Sequence, residues 1–111
     1  MNTNEPRRVT LRSERTPTSS HSMWAYVDDD GALHVDGHDL DPALESFVGK
    51  DEAETFKTVK AEHLGALVEL LGGEPGADVL DLLAERYTGP GSYELNRILG
   101  SGAVPVERLV L

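Results

Sequence analysis

Cysteine is absent from this 111-residue chain, which excludes disulfides, thiolate catalysis and cysteine-ligated zinc. Aromatic residues are scarce, at 5%, so any hydrophobic core has to consist mainly of leucine, valine and alanine. No apolar run approaches the roughly 18 residues of a membrane span, and the N-terminus lacks the apolar segment of a signal peptide. We therefore expect a cytoplasmic protein.

Basic residues are also few, since 10 lysines and arginines stand against 20 acidic residues and the net charge is −10. Four arginines against two glutamates give residues 1–22 a charge of +2, which leaves −12 for residues 23–111. Such a body repels nucleic-acid phosphates and anionic membrane surfaces and attracts basic proteins. We therefore expect no nucleic-acid or membrane partner. A basic protein is the partner that the charge favours, and simple solubility is the alternative explanation of the acidity.

Two amphipathic helices separated by a glycine-rich turn are the best-specified elements. Apolar residues recur at i, i+3, i+4 and i+7 from Leu64 to Leu71, which is typical of one helical face. Residues 72–76, Gly-Gly-Glu-Pro-Gly, predict the end of this helix. The second helix is predicted over residues 78–87, with Asp78 as its N-cap. A shorter third helix is predicted at residues 92–99.

Alternating sequence predicts strands on both sides of these helices. Residues 23–36 predict a β-hairpin whose turn is Asp-Asp-Asp-Gly at positions 28–31. Residues 54–60 predict a third strand, and residues 103–111 predict a last strand. Pro105 has no amide hydrogen to donate, which favours an edge position for that last strand.

The remaining segments predict irregular structure or short elements. Residues 1–22 are polar and show no periodicity, which predicts a disordered basic tail. Residues 37–42 predict a loop, and Pro42 following Asp41 predicts the start of a short helix over residues 43–48. Strands at both ends and helices between them predict a single α+β domain over residues 23–111. It would have a mainly antiparallel sheet with two to three helices packed on one face.

Four short motifs carry a resemblance to a known group of proteins. They are Gly31-Ala-Leu33, Gly37-His38-Asp39-Leu40, the glycine-rich turn at 72–76 and Asp78-Val79-Leu80. Over residues 23–107 the chain resembles a group of small, acidic, uncharacterised proteins of high-GC actinobacteria. Those proteins end in an aromatic stretch after a Val-Pro or Ile-Pro pair, whereas this chain continues from Val104-Pro105 to Leu109-Val110-Leu111. The resemblance implies no activity and no functional residue.

The densest polar segment runs from Asp28 to Glu54 and contains ten acidic residues against one lysine. One interpretation is a metal site made by His34, Asp36 and His38, because carboxylates with imidazole suit transition metals. A second is acid–base catalysis by His38 with Asp39 or Asp41, since a carboxylate orients an imidazole. Solvated loop residues are the ordinary alternative to both.

The third interpretation is a binding face. Its residues combine aromatic anchors with acids that would steer a basic partner: Trp24, Tyr26, Asp28, Asp29, Asp30 and Asp36. The alternative is that Trp24 and Tyr26 are core residues on the buried side of the sheet.

Our leading prediction is a non-catalytic, acidic protein-interaction module without a cofactor, in the manner of an immunity or inhibitor protein that binds a basic partner. A small enzyme or metal-binding protein that uses His38, Asp39 and Asp41 is the second hypothesis. A homo-oligomer joined through the edge strand at residues 103–111 is the third.

Overall fold

The computed structural model describes residues 7–111, except for the side chains of residues 47 and 48. Its centre is one antiparallel sheet in which the order of the strands follows the order of the chain. The strands are β1 (Arg8–Arg15), β2 (Ser20–Val27), β3 (Leu33–Leu40), β4 (Glu52–Val59) and β5 (Glu107–Val110). The helices are α1 (Glu45–Val48), α2 (Leu64–Leu70), α3 (Val79–Arg86) and α4 (Gly91–Gly100).

The two faces of the sheet differ in chemistry because successive side chains of a strand point to opposite sides. One face, called the helix face here, packs against α2, α3 and α4 and forms the core with them. Its buried strand residues are Val9, Leu11, Met23, Ala25, Leu33, Val35 and Val59. The other, called the aromatic face, contributes none of its aromatic side chains to that core. Its central residues are Trp24, Tyr26, His34, Asp36, His38 and Phe56.

The α+β prediction is confirmed, with three longer helices and a mainly antiparallel sheet. Asp78 caps α3 by accepting hydrogen bonds from the amides of Leu80 and Asp81. The apolar positions predicted for α2 are buried or half-buried. The hairpin turn also forms as predicted, and Gly31 takes a positive φ of 82° there.

The predicted disordered tail differs from the structure over residues 8–15, which form β1 and pair with β2, and over residues 20–22, which begin β2. Residues 1–6 lie outside the described part of the chain. Val9 and Leu11 are buried on the helix face, so this strand is stabilised by burial of apolar surface. Arginines flank Val9 and Leu11 in the sequence. The alternating pattern of these two apolar residues was therefore too short to predict a strand. The sheet therefore begins at Arg8, well before the domain start predicted at residue 23.

The predicted loop at residues 37–42 is also wrong over most of its length, since β3 continues to Leu40. Gly37 pairs with Met23 on one side and with Thr55 on the other. Pairing with two neighbouring strands outweighs the weak strand preference of Gly-His-Asp. At the other end of the chain, β5 covers Glu107–Val110 and not the whole of residues 103–111.

Candidate binding face

A single row of side chains crosses the aromatic face from β1 to β5. Trp24 stands opposite Asp36, and Asp36 stands opposite Phe56. Thr10 and Leu109 complete the row at its two ends. A carboxylate therefore lies between two aromatic residues at the middle of a sheet face.

Asp36 is the unusual member of this row because it is only 6% exposed. Its Oδ1 atom is buried and has no hydrogen-bond partner among residues 7–111. Burial raises the pKa of the Asp36 carboxyl, and the charges of His34 and Arg8 oppose this rise. An unpartnered buried oxygen costs folding free energy, so the arrangement is not explained by stability.

The next row holds a stacked pair that is tied to the hairpin turn. The rings of Tyr26 and His34 are parallel, with centroids 4.8 Å apart and an interplanar angle of 12°. His34 Nε2 donates to Asp28 Oδ2 over 2.6 Å, and Thr58 Oγ1 lies 3.3 Å from His34 Nδ1. Both ring nitrogens of His34 are thus engaged. Burial raises the pKa of Tyr26, and the carboxylates of Asp36 and Asp28 add to the effect.

The turn at the end of this row presents the predicted acidic residues. Asp28 accepts hydrogen bonds from the amides of Asp30 and Ala32, at 2.8 and 3.0 Å. The hydrogen bond from His34, followed by that from Ala32, lowers the pKa of Asp28. Asp29 and Asp30 are exposed beside it. Asp28 therefore shapes the turn, whereas Asp29 and Asp30 hold free negative charge at one end of the face.

A cation already lies on the face. The Arg8 guanidinium carbon is 4.5 Å from the centre of the Trp24 ring, which is cation–π geometry. The Arg8 side chain is exposed to solvent. Trp24 thus offers its ring to a guanidinium group in this structure.

The predicted catalytic group of His38, Asp39 and Asp41 does not assemble. His38 Nε2 donates to Glu52 Oε1 over 2.7 Å, on the aromatic face. Asp39 follows His38 in the same strand and therefore points to the opposite face. There His21 contacts it, with 2.8 Å between His21 Nδ1 and Asp39 Oδ1, and also lies 3.6 Å from Asp41.

The three residues predicted as metal ligands share a face but do not converge. His34 is turned to Asp28 and His38 to Glu52, in opposite directions along β3 from Asp36. Across residues 7–111, no group of three or more histidine or acidic side chains could hold a metal ion.

The alternative that placed Trp24 and Tyr26 in the core does not hold, because both stand on the aromatic face and are half-buried. Phe56, Arg8 and Leu109 also belong to the face, and none of them was predicted from the sequence. Alternation along β4 places Phe56 on the other face of the sheet from the buried Val59, and this alternation was a usable signal. The register that brings Arg8 and Leu109 to the same face follows only from strand pairing.

Comparisons with family models, with curated proteins and with solved structures gave no match for this chain. Within residues 7–111, no helix has the length and apolar character that crossing a membrane requires.

Proposed function

We propose that this protein is a non-catalytic interaction module that binds a basic protein through the aromatic face of its sheet. The observation that carries the proposal is the buried Asp36 carboxylate between Trp24 and Phe56. A lysine or arginine side chain of a partner would offset the negative charge of the Asp36 carboxylate. The flanking rings would pack on the apolar stem of that side chain and on its charge.

Apolar and acidic groups around this row fit the same kind of partner. Leu109 is 54% exposed at the end of the row, so the face offers apolar area as well as charge. Asp29 and Asp30 lie at one end of the face, and Glu52 and Glu54 lie at the other. Aromatic anchors at the centre with charges at the rim are the usual anatomy of a protein interface.

The charge of the whole chain favours the same class of partner. A net charge of −10 accelerates encounter with a basic protein and lowers the encounter rate with nucleic acids. An immunity or inhibitor protein directed at a basic enzyme is the particular form that we propose. That form rests on charge, size and the position of Asp36, and a cytoplasmic location accompanies it.

The test is affinity capture from a lysate of the native host, at low and at physiological salt. The wild type is compared with Trp24→Ala, with Asp36→Asn and with Leu70→Ala. Leu70 is exposed on α2, in the helix layer, and serves as the control. We expect one basic protein to be retained by the wild type and by Leu70→Ala, and to be lost from the other two variants. Equal retention by all four proteins would overturn the proposal.

A second experiment on the captured partner tests the steering role of the acids. Asp28, Asp29 and Asp30 are changed together to asparagine. We expect weaker binding and a flatter dependence of affinity on salt concentration, because exposed charges act mainly through screened long-range attraction. An unchanged salt slope would show that these three carboxylates do not steer the encounter.

A further inference from the structure

We propose a second binding site on the opposite side of the sheet, where Arg12, Lys57 and Asn96 hold a small oxyanion, the carboxylate or phosphate group of a small molecule. The site is a cavity of about 70 Å³ between the helix face and α4. Asp36, the central residue of the row on the aromatic face, also borders this cavity. The inference rests on Arg12, Lys57 and Asn96, none of which takes part in the function proposed above.

A β-bulge brings Arg12 to this cavity. Thr10 pairs with Trp24 and Arg12 pairs with the adjacent Met23, so Leu11 is the extra residue of β1. The bulge turns Arg12 to the same side as the buried Leu11, whereas regular alternation would have turned it away. The carbonyl of Leu11 is occupied as well, because it accepts a hydrogen bond from the amide of Gly89. The bulge thus places the Arg12 side chain between the sheet and α4.

The Arg12 guanidinium is held in position but is not satisfied. Its Nε atom donates to Ser92 Oγ over 2.9 Å, and its central carbon lies 3.7 Å from the centre of the Tyr93 ring. Its Nη2 atom is buried and has no hydrogen-bond partner among residues 7–111. A buried donor of a charged group without an acceptor is costly, and an anion would remove that cost.

Lys57 approaches the same cavity from β4. Its Nζ atom donates to Asn96 Oδ1 over 3.0 Å. Burial lowers the pKa of Lys57, and the positive charges of Arg108 and Arg12 lower it further. Within residues 7–111, neither Arg12 nor Lys57 forms an ion pair with a carboxylate. Cations without partners are notable in a chain with twice as many acidic as basic residues.

The remaining lining contributes both hydrogen-bond donors and carboxylates. Asn96 uses its oxygen for Lys57, so its amide nitrogen retains two donors. Asp36 and Asp39 also border the cavity, and Asp39 Oδ1 accepts a hydrogen bond from His21. Gly37 leaves the floor open: a Cβ atom there would lie 3.6 Å from the Ser22 carbonyl oxygen and 4.0 Å from Thr55 Cβ. The free donors of Arg12 and Asn96, together with the positive charge of Lys57, would be available to an oxyanion in this cavity.

The direct test is an NMR titration of the full chain with sodium phosphate and, separately, with sodium acetate. Sodium chloride at matched ionic strength is the control for general screening. We expect saturable shifts at the amides of Gly37, Thr55 and Asn96, with a Kd on the order of 1 mM for the preferred anion. The anion that binds with the lower Kd shows whether the ligand group is a phosphate or a carboxylate. Shifts no larger than those with chloride would overturn the proposal.

Three variants separate the site from general electrostatics. Arg12→Gln should weaken anion binding at least about tenfold, because it removes a charge-assisted hydrogen bond. Arg97→Gln removes an exposed positive charge from α4, the helix that borders the cavity, and should bind the anion as the wild type does. Gly37→Ala keeps both cations but narrows the cavity, so it should also weaken binding and serves if Arg12→Gln does not fold. Wild-type affinity in both Arg12→Gln and Gly37→Ala would overturn the proposal.

Discussion

Asp36 stands directly opposite Trp24 in the β2–β3 pairing, and its carboxylate is buried there without a partner for Oδ1. Burial raises its pKa, so the folded state binds the proton more tightly than the unfolded chain does. The free energy of unfolding therefore falls as pH rises from the unfolded pKa through the folded pKa. The destabilisation caused by the Asp36 carboxylate is absent at pH values below both pKa values and complete at pH values above both.

The first prediction concerns Asp36→Asn, which removes this charge. We expect the variant to be more stable than the wild type at pH 7 by roughly 1 kcal/mol, the low end for an unpartnered buried polar atom. The difference should disappear at about pH 3, where both side chains are neutral. Urea denaturation at the two pH values measures it, with the exposed Glu62→Gln as control. A variant less stable than the wild type at pH 7 would contradict the prediction.

Arg8→Ala tests whether Trp24 is available to a cation of the partner. The substitution frees the Trp24 ring and removes a positive charge from the aromatic face. We expect tighter binding of the basic partner, and a stability cost of no more than about 1 kcal/mol, the usual range of an exposed cation–π contact. Arg15→Ala, at the other end of the same strand, is the control. Calorimetric titration that finds weaker binding for Arg8→Ala would count against the role given to Trp24.

Asp28 and Asp29 are neighbours in the turn but are expected to respond differently to substitution. Asp28 accepts hydrogen bonds from His34 and from two backbone amides, whereas Asp29 is exposed. The pKa of Asp28 is lowered, so its stabilisation is present above the unfolded value of 3.8 and is lost as pH falls through the folded value. Asp28→Asn should therefore lower the Tm at pH 7 more than Asp29→Asn does. Thermal scans at pH 7 and at pH 3 should find this gap only at pH 7.

The helix layer gives a prediction about packing. Leu83 in α3 is 0% exposed, whereas Leu70 in α2 is 43% exposed. Leu83→Ala should lower the free energy of unfolding by about 2–5 kcal/mol, because it leaves a cavity in the core. Leu70→Ala should change it by no more than about 0.5 kcal/mol. Chemical denaturation of the two variants measures both values, and similar losses would mean that α3 is not packed as described.

The outer edge of β5 allows a test of the third hypothesis, self-association through this strand. Leu111 exchanges both backbone hydrogen bonds with Glu54, so the amide of Val110 points away from β4. We expect light scattering to find an average mass that rises above 12.0 kDa as concentration increases. Val110→Pro removes the outward donor and should abolish the rise. A constant monomeric mass for the wild type would exclude association through this edge.

Local sequence was sufficient for those elements whose signal is local. The α2 and α3 helices were predicted from apolar spacing, and Asp78 was identified as a cap, because helix formation depends on neighbours within one or two turns. The turn ending at Gly31 was predicted for the same reason. Among the residues predicted for a binding face, Trp24, Tyr26 and Asp36 do lie on one face of the sheet, and Asp28 accepts a hydrogen bond from His34 at its end.

What the sequence alone determined is therefore the α+β class, the acidic character and the elements with strong periodicity or caps. Tertiary structure decided the rest, because strand pairing joins residues that are distant in the chain. It made a strand of Arg8–Arg15, extended β3 through His38 and Asp39, and placed Phe56 beside Asp36. It also turned Arg12 beneath α4 through a bulge, since the register of β1 is set by its partner strand and not by its own alternation.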